Sequence, residues 1–169
     1  MTKQIEHLFI KNFKSIRHLE LPCQRINVFI GPPNSGKSNI LESLGILSFI
    51  FEKNYLFKRF IRFENLPDLF YDQDIHQRIE VIAKPFLSYT ISHHSGSFVL
   101  NGHVYDKLKI ESKLDITGQG QSGLEGKATD CPIRFYRFKT LKEWPRFETE
   151  LLLPPYGENL FTIVQTNGA

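Results

Sequence analysis

Gly31, Gly36, Lys37 and Ser38 fall in the stretch "GPPNSGKSN", residues 31–39, at the spacing Gly-x4-Gly-Lys-Ser. These residue types in that order form the phosphate-binding loop pattern, and each has a physical task. Gly31 permits a sharp departure from a preceding strand, and Gly36 lets the backbone approach a phosphate that a Cβ would obstruct. The amides of Ser35 to Asn39 then lie at the start of a helix, where unpaired N–H groups and the positive end of the helix dipole attract an anion. Lys37 sets a point charge against the β and γ phosphates, and the Ser38 hydroxyl offers an oxygen to Mg2+. Pro32 and Pro33 precede those amides, so their missing N–H groups cost no binding and their fixed φ stiffens the approach. The alternative is a glycine-rich turn that only connects two elements.

A loop of this kind needs a strand before it and a helix after it. "RINVFIG" places Ile26, Val28 and Ile30 on one face and Phe29 on the other, which predicts a strand covered on both sides. Beyond the loop, Ile40, Leu41, Leu44, Leu47 and Phe51 recur at helical spacing, which predicts a helix of about three to four turns starting near Lys37.

Around that unit the periodicity is mostly two. "QIEHLFIKNF" and "HLELP" predict a hairpin, with Leu8, Ile10, Leu19 and Leu21 among its apolar positions. "RIEVIA", "FLSYTIS" and "SFVLNG" predict antiparallel strands with a turn at "HHSG", and "KLKIESKLDI", 107–116, predicts a strand with one wet face. "TGQGQSGLEGKATD", 117–130, has four glycines and no apolar run, the composition of a mobile loop or hairpin tip. "PIRFYRFK" reads as a further strand, and "LLLPPYGENLFTIVQ" as a turn leading into a helix capped by Asn159. Residues 54–74 are aromatic and basic with weak periodicity and specify no element.

A chain of 169 residues, 41% hydrophobic and with 15 Phe, suits one domain with a substantial core. The formal charge of +3 is too small to indicate a nucleic-acid binder by itself. Cys23 and Cys131 lack the second pair that a zinc site needs, and reduced thiols in the cytoplasm are the simplest account. "ILSFIF", 46–51, falls far short of the roughly 20 residues of a membrane span, and the N-terminus has no signal-peptide apolar region. These observations predict a soluble, cytoplasmic protein with no membrane partner.

With "LFIKNFKSI" followed by "INVFIGPPNSGKSNILESL", the chain resembles the N-terminal part of the RecF/SMC/OLD group of ABC-class ATPases, within the AAA-family ATP-binding proteins. The similarity covers roughly residues 4–50, with weaker support at 151–167. It implies an α/β fold with a mixed sheet, the first lobe of the ABC type with an antiparallel portion, and ATP with Mg2+ as cofactors. By position, Asn34, Ser35, Gly36, Lys37, Ser38 and Asn39 would wrap the phosphates, with Lys37 catalytic and Ser38 on the metal. Lys14 and Ser15 match a pair lying near the nucleotide in relatives; an ordinary polar turn is the other reading. Pro33 departs from the polar residue common there, so a side-chain contact to the γ phosphate is not expected from it.

Hydrolysis in this group also needs four apolar residues ending in Asp-Glu, and a Leu-Ser-Gly-Gly signature from a second subunit. "FIFE", ending at Glu52, lacks the acid pair, and "GQSGLEG" has the wrong order. The resemblance therefore implies that residues 1–169 are one ATP-binding lobe of a larger ATPase; a naturally short protein is the other reading. Its missing lobe would complete the site, and the full protein would form a nucleotide-dependent homodimer working on DNA in repair, chromosome handling or phage defence. Gln165 could touch the metal and Arg59 and Arg62 could reach the nucleotide, or all three could be surface positions. His93, His94 and His103 read as surface histidines at a hairpin. The competing class is a non-enzymatic nucleic-acid-binding or interaction module.

Overall fold

The structure, a computed structural model, describes residues 4–51, 57–85, 87–104, 108–114, 120–125 and 133. Among them the chain forms β1 (His7–Phe13), β2 (Ile16–Pro22), α1 (Lys37–Phe51), α2 (Phe57–Phe60), β3 (Ile79–Lys84), β4 (Leu87–His94), β5 (Ser97–Val104), β6 (Leu108–Leu114) and β7 (Gly120–Glu125). Two short 3-10 turns, Leu66–Leu69 and Tyr71–Gln73, lie between α2 and β3. The strands make one sheet in the order β2-β1-β3-β4-β5-β6-β7, and every pairing is antiparallel.

The alternation read from the sequence sets the register. Leu8 and Ile10 face Ala83 and Val81 across β1 and β3, and Val81 faces Tyr89 across β3 and β4. These side chains are buried, while neighbours such as Glu80, Thr90 and Asn101 turn to the other face. Tyr89 lies opposite Gly102. A Cβ on Gly102 would come 3.1 Å from the Ser88 carbonyl and 3.3 Å from the Tyr89 Cβ, so the glycine makes room for the ring.

On the buried face, α1 contributes Ile46 and Phe49, and residues 57–70 contribute Phe57, Phe60, Ile61, Leu66, Leu69 and Phe70. The segment without periodicity is thus a large part of the core. Its aromatic residues pack edge to face, with ring centroids 4.9 Å apart for Phe49 and Phe57 and 5.4 Å for Phe57 and Phe63.

Three expectations are corrected. The segment before the loop is not a covered strand: Ile26, Val28 and Ile30 are 78%, 74% and 90% exposed. β1 has β2 on one edge and β3 on the other, and among the described residues the segment does not pair with the outer edge of β2 either. Nor is the sheet mixed among the described residues, since without that strand no parallel pair forms. Finally, Gly120–Glu125, inside the stretch expected to be a loop, pairs with β6 through its backbone, which does not demand apolar side chains.

α1 begins at Lys37 as expected; of its expected apolar positions Ile40 and Leu44 pack against the core, Leu41 does not, and the side chains of Leu47 and Phe51 lie outside those described. Glu42, Ser43, Ile46, Ser48 and Phe49 are buried, Ile40 and Leu44 are half-buried, and Leu41 is exposed. Hydrophobic spacing does not find Glu42, Ser43 and Ser48 because each is buried with a hydrogen-bond partner. The expected strand 132–139 (apart from Ile133) and the expected helix with Asn159 and Gln165 lie outside the described residues, as does Cys131.

Candidate functional site

Between Gly31 and α1 the backbone turns through two left-handed residues, Asn34 at φ 60° and Gly36 at φ 84°. The first helical turn closes on the Gly36 carbonyl, which accepts from the Asn39 amide at 2.9 Å and the Ile40 amide at 3.4 Å. The amides of Ser35, Gly36, Lys37 and Ser38 have no acceptor among the described residues. The first turn carries no acidic residue, so the positive end of a 15-residue helix has no carboxylate of its own first turn against it. Gly31 to Ser35 and Ser38 are exposed. A row of unsatisfied donors at an open helix N-terminus suits a phosphate.

Lys37 folds over this loop. Its ammonium donates to the carbonyls of Gly31 at 2.9 Å and Pro32 at 2.6 Å and to the Ser35 hydroxyl at 2.9 Å. All three acceptors are neutral, whereas bonds to an ionised oxygen are roughly twice as strong. An anionic oxygen therefore competes for this ammonium on favourable terms. The prolines supply only a carbonyl, as their position before the four amides requires.

The β1–β2 turn, read from Asn-Phe-Lys-Ser, closes one side of the loop. Asn12, at φ 56° and buried, donates its amide to the Gln77 side chain at 3.3 Å and to the Arg78 carbonyl at 3.2 Å. Phe13 enters the core, and the Lys14 amide donates to the Leu69 carbonyl at 2.8 Å. Ser15 reaches the loop: its hydroxyl oxygen accepts from the Asn39 side chain at 2.8 Å and lies 3.0 Å from where a Cβ on Gly36 would stand. Gly36 is thus required twice, by its φ and by this close approach.

Lys14 points elsewhere than to the loop amides. Its ammonium donates to the Glu42 carboxylate and to the Arg62 carbonyl. Arg62 donates from Nε to the other Glu42 oxygen at 2.6 Å. Glu42 is 3% exposed, Lys14 11% and Arg62 53%, so the carboxylate is buried between two cations. Sequence reasoning missed Glu42; its place one helical turn after Ser38, on the same face, was the available signal.

Arg62 is therefore engaged by Glu42, while Arg59 lies in α2 and Gln165 outside the described residues. His93 packs against Phe98 at a centroid distance of 4.8 Å, and His94 and His103 are exposed. Among the described residues no three His, Cys, Asp or Glu side chains cluster as metal ligands, and no helix is long and apolar enough to cross a membrane. Desolvation pushes the half-buried Cys23 thiol up, against a smaller lowering by a backbone hydrogen bond at Leu8, which disfavours the reactive thiolate.

Two comparisons bear on this arrangement. A family model described as an AAA ATPase domain matches residues 4–135, which span the hairpin, the loop and the strands through β7. An uncharacterized protein of Methanocaldococcus jannaschii is 30% identical over 120 residues, covering 63% of this chain and 54% of the relative. The chain thus spans about half the length of that curated relative.

Proposed function

The chain belongs to the AAA ATPase domain family, and from that premise we propose that it binds ATP with Mg2+ through residues 31–39 as one lobe of a larger ATPase. What carries this reading is the set of four acceptor-free amides at Ser35 to Ser38 beneath the Lys37 ammonium. The amides and Lys37 hold the phosphates, and Asn34 and Asn39 flank them. The Ser38 hydroxyl would hold Mg2+, which would supply charge stabilisation to the phosphates. Ser15 abuts the loop, and Lys14 acts behind it. Lys37 is the catalytic cation, since charge on the transferred phosphoryl group is stabilised chiefly by positioned donors.

Turnover needs a general base and a second set of donors, and a further lobe brings them. The exposed row Ile26, Val28 and Ile30, leading into the loop, suits a sheet completed by such a lobe. The full protein is cytoplasmic, closes as a homodimer around nucleotide in the manner of the RecF/SMC/OLD group, and couples closure to work on DNA.

Titration calorimetry with ATP and Mg2+ on the purified chain and its Lys37→Ala variant tests the reading. Saturable binding that the substitution weakens supports it. Equal heats from both proteins, or salt-sensitive retention on DNA that ignores ATP and Lys37, would replace it with a nucleic-acid-binding module.

A further inference from the structure

Glu42 is a carboxylate buried on the second turn of α1. Burying a charge is expensive even when it is paired, and such pairs are weak evidence of stabilisation. A different return is visible in what the carboxylate joins. One oxygen receives the Lys14 ammonium and, at 3.4 Å, the Arg62 amide; the other receives the Arg62 side chain at 2.6 Å. Lys14 also donates to the Arg62 carbonyl. Two segments far apart in sequence, the β1–β2 turn and the stretch after α2, are thereby tied to α1, the helix that follows the loop.

We propose that Glu42 is a positioning residue for the phosphate loop, acting through the Lys14–Ser15 turn. Lys14 is left-handed at φ 50°, a conformation that a non-glycine residue holds only when its surroundings enforce it. Its amide bond to Leu69 and its ammonium bond to Glu42 supply that enforcement from two sides. Ser15 follows directly, so the placement of Lys14 determines where the Ser15 hydroxyl stands. That hydroxyl holds Asn39 at 2.8 Å and crowds Gly36, the two residues that bracket the Lys37 and Ser38 amides. Glu42 touches no phosphate in this arrangement; it keeps the wall of the loop in register.

The inference rests on the reading that residues 31–39 take ATP, and the test separates the two. Calorimetry with ATP and Mg2+ is run on the full chain and on Lys37→Ala, Glu42→Gln, Ser15→Ala and the Glu42→Gln/Ser15→Ala double variant, with melting curves for each. Glu42→Gln keeps the shape and removes the charge; it should weaken ATP binding by about five- to tenfold at temperatures well below its melting transition. Ser15→Ala should weaken binding by about threefold, and the double variant no more than Glu42→Gln alone, because both act on one contact. Losses that multiply, or a Glu42→Gln protein that melts earlier yet binds ATP normally, would show a merely structural acid and overturn the inference. Should Glu42→Gln fail to fold, Ser15→Ala decides: its hydroxyl is exposed, and unchanged affinity would leave Glu42 no route to the loop. If binding depends on Lys37 but not on Glu42, only the inference fails; if it does not depend on Lys37, the site itself is misassigned and the inference falls with it.

Discussion

The buried hydroxyl of Tyr89 donates to the main-chain carbonyl of Ser43 at 2.6 Å, so the fourth strand of the sheet grips the helix that follows the loop at 31–39. The ring fits because Gly102 faces it, and the bond fixes how far α1 sits from the sheet. Tyr89→Phe should cost about 1 kcal/mol, the net worth of one hydrogen bond. For a chain of this size that lowers the melting temperature by roughly 2–4 °C. Differential scanning calorimetry would show it, and an unchanged transition would mean that the bond contributes nothing to holding α1.

Tyr89 also predicts an alkaline limit. Desolvation raises its pKa well above the ordinary tyrosine value, so the folded protein keeps a proton that the unfolded chain gives up near pH 10. The contribution is full below pH 10 and is lost as pH rises beyond it, because the unfolded state then binds fewer protons. Denaturant midpoints measured from pH 9 to 11.5 should fall more steeply for the native sequence than for Tyr89→Phe.

Lys37→Ala removes charge-assisted bonds worth about 1.5–3 kcal/mol to a phosphate. ATP affinity should drop roughly ten- to a hundredfold in calorimetry, since each 1.4 kcal/mol is tenfold. The melting temperature should barely move, because in the nucleotide-free loop Lys37 meets only exposed oxygens of Gly31, Pro32 and Ser35.

Gly36→Ala adds a methyl group at φ 84°, 3.0 Å from the Ser15 hydroxyl. The left-handed backbone alone should cost about 1–2 kcal/mol. Both the denaturant midpoint and ATP affinity should fall. Adding Ser15→Ala should restore part of the stability by relieving the contact and none of the part due to φ. No recovery in the double variant would show that the hydroxyl is not what the methyl meets.

Replacing Ile26, Val28 and Ile30 by Thr should change stability by no more than about 0.5 kcal/mol each, the range of ordinary surface positions. Ile10→Ala, by contrast, empties a fully buried site and should cost about 2–5 kcal/mol. Chemical denaturation distinguishes the two sets. In the larger assembly the Thr variants should associate less well with the lobe proposed to cover this row, which sedimentation would report.

The loop was legible because its requirements are local. A glycine where φ is positive, a lysine and a serine at the helix start, and prolines ahead of the amides depend on neighbours within a few residues. The hairpin of β1 and β2 and the run of β3 to β5 were legible for a similar reason, since a period of two identifies a half-covered strand. The same rule misled at residues 26–30. Apolar alternation reports that a segment can be buried, and burial needs a neighbour that the described residues do not offer. Residues 57–70 misled in the other direction: with no period to read, they still fill much of the core, because irregular backbone can aim Phe57, Phe60, Ile61 and Phe70 inward as effectively as a helix can.

By itself, the order of residues determined a tight turn at 31–36, a helix from Lys37 and a set of two-period strands, all properties of dihedral preference and side-chain spacing along the chain. Only the tertiary structure decided that β1 lies between β2 and β3, that Lys14 turns to Glu42 while Ser15 meets Asn39, and that Tyr89 reaches Ser43. Those pairings join residues 24 to 46 positions apart, or strands on either side of the loop and helix, and no local pattern encodes them. They arise when the sheet and α1 bury their apolar faces together, which brings polar side chains from separate segments within reach of one another and gives the buried Glu42 and Tyr89 the partners that burial demands.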